Sequence, residues 1–182
     1  MRRIETRLDG LVLVEPDVHA DERGFFVETY QLARYADFGV QPTFVQDNQS
    51  RSRRGTLRGL HFQTNPGQAK LVRVARGTIL DVVVDIRRSS RTFGEHEAFE
   101  LDDTVHRQLF VPIGFAHGFC VLSDLADVTY KVSSYFDPES ESGIAWDDPA
   151  LGIDWRIEDP IVSDRDRLNP RIAETAHALP DW

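Results

Sequence analysis

The stretch Leu71-Val72-Arg73-Val74-Ala75, then Arg76-Gly77-Thr78, then Ile79-Leu80-Asp81-Val82-Val83-Val84-Asp85-Ile86 carries the strongest structural signal in the chain. Runs this short and this rich in Val, Ile and Leu read as strands, and Gly77 between Arg76 and Thr78 is hairpin chemistry. The same reading extends outward. Gly10 to Glu15 is apolar and stops at Pro16. Phe25 to Thr29 follows a turn at Asp21-Glu22-Arg23-Gly24, and Leu109–Val111, Gly118–Leu122 and Val128–Tyr135 continue the pattern. The spacing predicts one helix over Gln31 to Phe38, with Gly39 placed to cap it, and a shorter helical piece near Ser163 to Arg167. Short strands with turns about every ten residues predict an all-β sandwich or barrel with a few short helices. No repeat, low-complexity tract or linker divides residues 1–182, so one domain is expected, with a loosely packed tail from Arg171 to Trp182.

The chain has 182 residues and an apolar fraction of 41%, enough for a core. Its net charge of -9 argues against a nucleic-acid partner. An anionic ligand must then be held by a local cationic cluster, and one is visible at Arg51, Arg53, Arg54 and Arg58. The single cysteine, Cys120, excludes a disulfide framework, argues against a Cys-based zinc site and reads as a small core residue. No stretch resembles a signal peptide or a membrane span, so the expected compartment is the cytoplasm, without membrane partners.

Two segments carry chemistry. The first is Gln46-Asp47-Asn48-Gln49-Ser50 followed by Gly55-Thr56-Leu57-Arg58-Gly59-Leu60-His61-Phe62-Gln63. Side chains alternate along a strand, so Arg58 and His61 face opposite ways unless Gly59 permits a bulge. The second is Pro112-Ile113-Gly114-Phe115-Ala116-His117-Gly118. Its Pro-x-Gly-x-x-His spacing resembles the second motif of the cupin superfamily. Metal-binding cupins carry His-x-His and then Glu in their first motif. Here the matching site is His61-Phe62-Gln63, and the next charged residue is Lys70. Two histidines fall short of the usual three or four protein ligands. The pattern therefore points to a cupin-type barrel without metal chemistry.

The chain closely resembles the dTDP-4-dehydrorhamnose 3,5-epimerases of deoxysugar biosynthesis, from about Gly10 to about Pro170. The resemblance rests on Asp21-Glu22-Arg23-Gly24-Phe25-Phe26, Gln46-Asp47-Asn48, Leu57 to Gln63, Lys70-Leu71-Val72-Arg73, Gly114 to Phe119, Tyr130-Lys131, Trp146 to Trp155, and Ser163-Asp164-Arg165-Asp166. It implies a double-stranded β-helix (jelly-roll) barrel, a homodimer, no cofactor, and a dTDP-linked 4-keto-6-deoxy hexose as substrate. It makes His61 the general base, oriented by Asp166, with Tyr130 as general acid on the opposite sugar face and Lys70 near the C4 carbonyl oxygen. Arg23, Gln46, Asn48, Arg58, His117, Glu141 and Arg165 match contacts to the nucleotide diphosphate or sugar. Phe26 and Asp47 fall in the same motifs and join the binding set, and Glu28 matches a contact from the partner subunit.

The chemistry suits these residue types. Removing a C–H proton beside a ketone needs a base titrating near neutrality, and the enolate formed needs a fixed positive partner. Alone, Asp166 reads as an exposed loop charge, Lys70 as a surface lysine and Tyr130 as a core aromatic. One departure from the family pattern is Tyr135-Phe136, where many relatives have two tyrosines; Phe136, like Phe25 or Phe26, is able to stack on a base. Ser142 replaces a frequent Arg. Three functions stay open: the 3,5-epimerase, a 3-epimerase of an antibiotic pathway, and a metal-dependent or sugar-binding cupin.

Overall fold

A computed structural model describes all 182 residues. In chain order the elements are β1 (Arg2–Ile4), β2 (Val12–Glu15), β3 (Val18–Asp21), β4 (Gly24–Val27), α1 (Leu32–Asp37), β5 (Gln46–Arg53), β6 (Thr56–Gln63), β7 (Lys70–Arg76), β8 (Thr78–Asp85) and β9 (His96–Asp102). They continue with β10 (Gln108–Val111), β11 (Phe115–Val121), β12 (Leu125–Val132), β13 (Glu141–Gly143), β14 (Ile161–Val162), α2 (Asp164–Arg167), α3 (Ile172–Thr175) and a 3-10 turn over Ala176–Ala178. With 42% of residues in strands and 9% in helices, the protein is mainly β, as expected.

The pairing is nested. β8 pairs β9, β7 pairs β10, β6 pairs β11 and β5 pairs β12, all antiparallel. Successive pairs fall in alternate sheets, so one long two-stranded ribbon winds into two facing six-stranded sheets. The first has the order β1-β2-β10-β7-β12-β5 and the second β13-β6-β11-β8-β9, with β14 added beside β6. This is the double-stranded β-helix of the cupin barrel.

The turn at Gly77 differs from expectation. β7 and β8 form no hairpin; they belong to opposite sheets. Gly77 has φ +83°, and a Cβ there would lie 2.1 Å from the Leu125 carbonyl oxygen, so it is the corner at which the chain changes sheet. The reason lies in β8. Ile79 and Val83 face the barrel interior while Leu80, Val82, Val84 and Ile86 face an outer layer. A strand buried on both faces needs a neighbour on each edge, here β11 and β9, and reads as a continuous apolar run.

Three apolar clusters follow. One fills the space between the sheets around Leu13, Val72, Leu109 and Phe119. A second covers the outside of the second sheet with Ile144, Leu151, Trp155, Ile172 and Leu179. In the tail, Ile172 and Leu179 are buried, and Trp182 meets Phe62 edge to face at 6.3 Å. Each of these two burials is worth about 1.5–3 kcal/mol. The third cluster is closed by α1, whose Tyr35 is fully buried. Gln31 caps α1 by accepting from the Arg34 N–H at 2.7 Å, and Gly39 follows its C-cap with φ +100°. The hairpin β3–β4 stands apart as its own two-stranded sheet and leaves Phe25 and Phe26 exposed.

Candidate active site

The site is set by an irregularity in β6. His117 pairs with His61 and Phe119 with Arg58, so three steps along β6 match two along β11. That extra residue is a β-bulge, and it turns Arg58 and His61 toward one cavity despite their odd spacing. Gly59, at φ +128°, absorbs it. A Cβ on Gly59 would lie 2.5 Å from Gly118 Cα, and one on Gly118 would lie 2.7 Å from the Arg58 carbonyl oxygen. Two facing glycines thus let the strands approach closely.

The cavity holds about 510 Å³. Its polar lining comes from β5 (Ser50), β6 (Thr56, Arg58, His61), β7 (Lys70), β11 (His117), β12 (Tyr130) and the α2 region (Ser163, Arg165, Asp166). Asp166 Oδ1 lies 2.6 Å from His61 Nε2, and its Oδ2 accepts from the Gly59 N–H at 3.3 Å. Ser163 caps α2 by accepting from the Asp166 N–H at 3.1 Å, which fixes that carboxylate. Burial pushes the Asp166 carboxyl up, but the His61 hydrogen bond and charge, with the Gly59 and Ser163 bonds, outweigh it and hold it below the usual range. An ionised Asp166 requires the proton on Nε2, leaving the Nδ1 lone pair of His61 free to act.

Lys70 brings a buried ammonium to this cavity. Burial lowers its ammonium to about 8, with Glu141 and Asp81 partly restoring it. Its Nζ reaches the His61 carbonyl oxygen at 3.4 Å. Tyr130 is pushed upward by burial and by Glu141, with Arg58 opposing, so its hydroxyl keeps its proton across the neutral range. Glu141 pairs with Arg165, Nη2 to Oε2 at 2.5 Å. A basic imidazole, a protonated phenol and an ammonium in one cavity are able to remove, deliver and electrostatically support a proton transfer.

Of the residues expected here, His61, Tyr130, Asp166, Lys70, Arg58, His117 and Arg165 come together, with Glu141 tied in through Arg165. Gln46 and Asn48 continue the same inward row of β5 beyond Ser50. Gln46 donates to Asn48 Oδ1 at 2.8 Å and accepts from the Phe136 N–H at 3.2 Å. Asp47 alternates to the outer face, where Lys131 Nζ donates to it at 2.9 Å, and so lies outside the cavity. Arg23 and Phe26 sit on the β3–β4 hairpin, with Arg23 paired to Asp21, and Glu28 is paired to Arg34 at 3.2 Å. None of these three lines the cavity. The expected arginine cluster also divides: Arg51 pairs with Asp127 and Arg54 with Asp124, and only Arg58 enters. No three His, Cys, Asp or Glu side chains group in a metal-holding arrangement.

Sequence reading missed Asp81, Ser50 and Ser163. Asp81 is fully buried, with His117 Nε2 at 2.9 Å from Oδ2. Its signal was a carboxylate inside an apolar strand, which demands a partner.

The family model described as dTDP-4-dehydrorhamnose 3,5-epimerase matches residues 5–174. The dTDP-4-dehydrorhamnose 3,5-epimerase of Methanothermobacter thermautotrophicus is 52% identical over 169 residues, covering 91% of each chain. A dTDP-6-deoxy-D-glucose-3,5-epimerase of Legionella pneumophila, solved in complex with dTDP-4-keto-L-rhamnose, is 44% identical and superposes with a TM-score of 0.95 over 100% of this chain and 98% of that one. A 4-keto-6-deoxy sugar epimerase from the novobiocin biosynthetic gene cluster of Streptomyces spheroides is 40% identical, with a TM-score of 0.96 over 100% and 94% of the two chains. Coverage this complete leaves no segment of the barrel unmatched, and the chain belongs to the dTDP-4-dehydrorhamnose 3,5-epimerase family, a family of isomerases built on the cupin barrel.

Proposed function

We propose that the protein inverts C3 and C5 of dTDP-4-dehydro-6-deoxyglucose, producing dTDP-4-dehydro-L-rhamnose. The observation that carries this reading is the His61–Asp166 pair sharing a cavity with Tyr130 and Lys70. His61 Nδ1 takes the proton from the carbon beside the C4 ketone, and the electron pair moves into an enolate whose charge rests on the C4 oxygen. Lys70 stabilises that oxyanion; one preorganised donor of this kind is worth about 3–4 kcal/mol. Tyr130 returns a proton to the opposite face, and water restores its hydroxyl. The imidazolium is supported by Asp166 until it loses its proton to solvent. No cofactor enters these steps. In an otherwise acidic protein, Arg58 and Arg165 supply cationic contacts for the diphosphate of the substrate.

A homodimer accompanies this reading. Phe25 and Phe26 are 57% and 69% exposed on a hairpin that lies outside both main sheets. Covering them with a second copy that presents Arg23, Phe26 and Glu28 to this cavity would complete the binding set. The cytoplasm is the proposed compartment, consistent with one buried, unpaired cysteine and with no helix long and apolar enough to cross a membrane.

Proton NMR of dTDP-4-keto-6-deoxyglucose incubated with the protein in D2O tests the reaction. Loss of both the C3 and C5 proton signals is expected. Loss of C3 alone assigns the 3-epimerase reaction instead, and retention of both signals refutes the proposal.

A further inference from the structure

Two histidine–carboxylate pairs share this cavity, and only one is consumed by the base. His117 stands directly across from His61 on the neighbouring strand, so both rings project from the same face. Each has Nε2 against a carboxylate, Asp166 for His61 and Asp81 for His117. Their settings differ: the His61 side chain is 25% exposed and the His117 side chain 8%, with Asp81 fully buried behind it. Asp81 places both oxygens 2.9 and 3.0 Å from His117 Nε2, and its side chain makes no other hydrogen bond. A carboxylate removed from water in an apolar strand persists when a positive group faces it.

We propose that Asp81 is a positioning residue that holds His117 protonated at both ring nitrogens, so that His117 Nδ1–H joins Lys70 in binding the enolate oxygen. The inference rests on the epimerase reading. Around His117 stand Asp81 on β8, His61 and Arg58 on β6, Lys70 on β7 and Tyr130 on β12. Arg58 and Lys70 disfavour a further cation, and Asp81 is the one acid bonded to the ring. The open pair is thus placed to accept a proton, and the buried pair to donate a hydrogen bond.

Asp81→Asn tests this, because it keeps the shape and an acceptor for Nε2–H while removing the charge. The expected result is a fall in kcat for C3 proton exchange of roughly 10- to 100-fold with KM held within about twofold. The His117 ring, followed by NMR, should also lose its proton about one pH unit or more lower than in the wild type. A variant that melts earlier yet keeps wild-type kcat and the wild-type His117 titration overturns the proposal. If the variant does not fold, His117→Gln replaces it: the same kcat loss is expected, and unchanged kcat overturns the proposal. Absence of exchange in the wild-type protein refutes the epimerase reading, and the His117 titration then still decides the pairing.

Discussion

Replacing Gly59 by alanine puts a methyl group where β6 and β11 touch. The added Cβ would meet Gly118 Cα at 2.5 Å and the His117 carbonyl oxygen at 2.9 Å, against 3.4–4 Å for ordinary contact. Both neighbours are backbone, so no flexible side chain can yield. The φ of +128° adds a second penalty, since residues with a Cβ rarely adopt it. The backbone strain is worth about 1–3 kcal/mol and the overpacking about 1–3 kcal/mol. A loss of about 4 kcal/mol is a large share of a typical domain's stability and corresponds to roughly 8–16 °C in Tm at this size. To relieve the clash, β6 must retreat from β11 by roughly 1 Å, which moves Arg58 and His61 relative to His117, and a misplacement of that size costs about 100-fold in rate. Calorimetry and the D2O exchange assay read the two effects separately. Gly152→Ala is the control: Gly152 has φ +60° but nothing within 4 Å of an added Cβ. It should lose about 1–2 kcal/mol and no activity. If Gly59→Ala melts within 2–3 °C of the wild type and exchanges at the wild-type rate, the bulge does not set the site.

The Lys70 ammonium, lowered by burial to about 8, predicts an alkaline limb. The charged form is present below that value and is lost above it, so kcat/KM should fall about tenfold per pH unit beyond pH 8. Lys70→Arg stays charged throughout and should lower the rate while abolishing the limb; a limb unchanged in that variant assigns it to another group. Tyr130→Phe removes the phenolic proton and should cut net inversion by about 100-fold or more while sparing C3 exchange, measured by product NMR beside deuterium incorporation. Equal loss of both counts against Tyr130 as the acid.

The barrel was legible because several of its strands announce themselves: β2 and β8 are apolar and rich in β-branched residues, and β11 is apolar apart from His117. The order of those strands was not. Gly77 carries the chemistry of a hairpin turn, and only the need of β8 for a neighbour on each edge turns that glycine into a corner between sheets. In the tail, Ile172, Leu179 and Trp182 are isolated apolar residues, and their packing depends on an outer sheet face far away in sequence. In the site, Arg58 and His61 were found from composition, and the bulge that unites them was read as a condition on Gly59. Asp166, Lys70 and Tyr130 came from family resemblance, because their partners lie on distant strands. Asp81 was overlooked although a buried carboxylate among Ile79, Val82 and Val83 has no bland explanation. Asp47 is placed apart from its neighbours. The alternation of β5 sends it outward, away from Gln46 and Asn48 on either side.

The central claim is that His61 removes the proton. Deuterium incorporation at C3 and C5 of dTDP-4-keto-6-deoxyglucose, compared between wild type and His61→Ala, tests it directly, with circular dichroism verifying the fold. A drop of at least about 100-fold at both carbons is predicted, since a general base commonly contributes 10²–10⁴-fold. Exchange persisting near the wild-type rate in a folded His61→Ala variant would contradict the account.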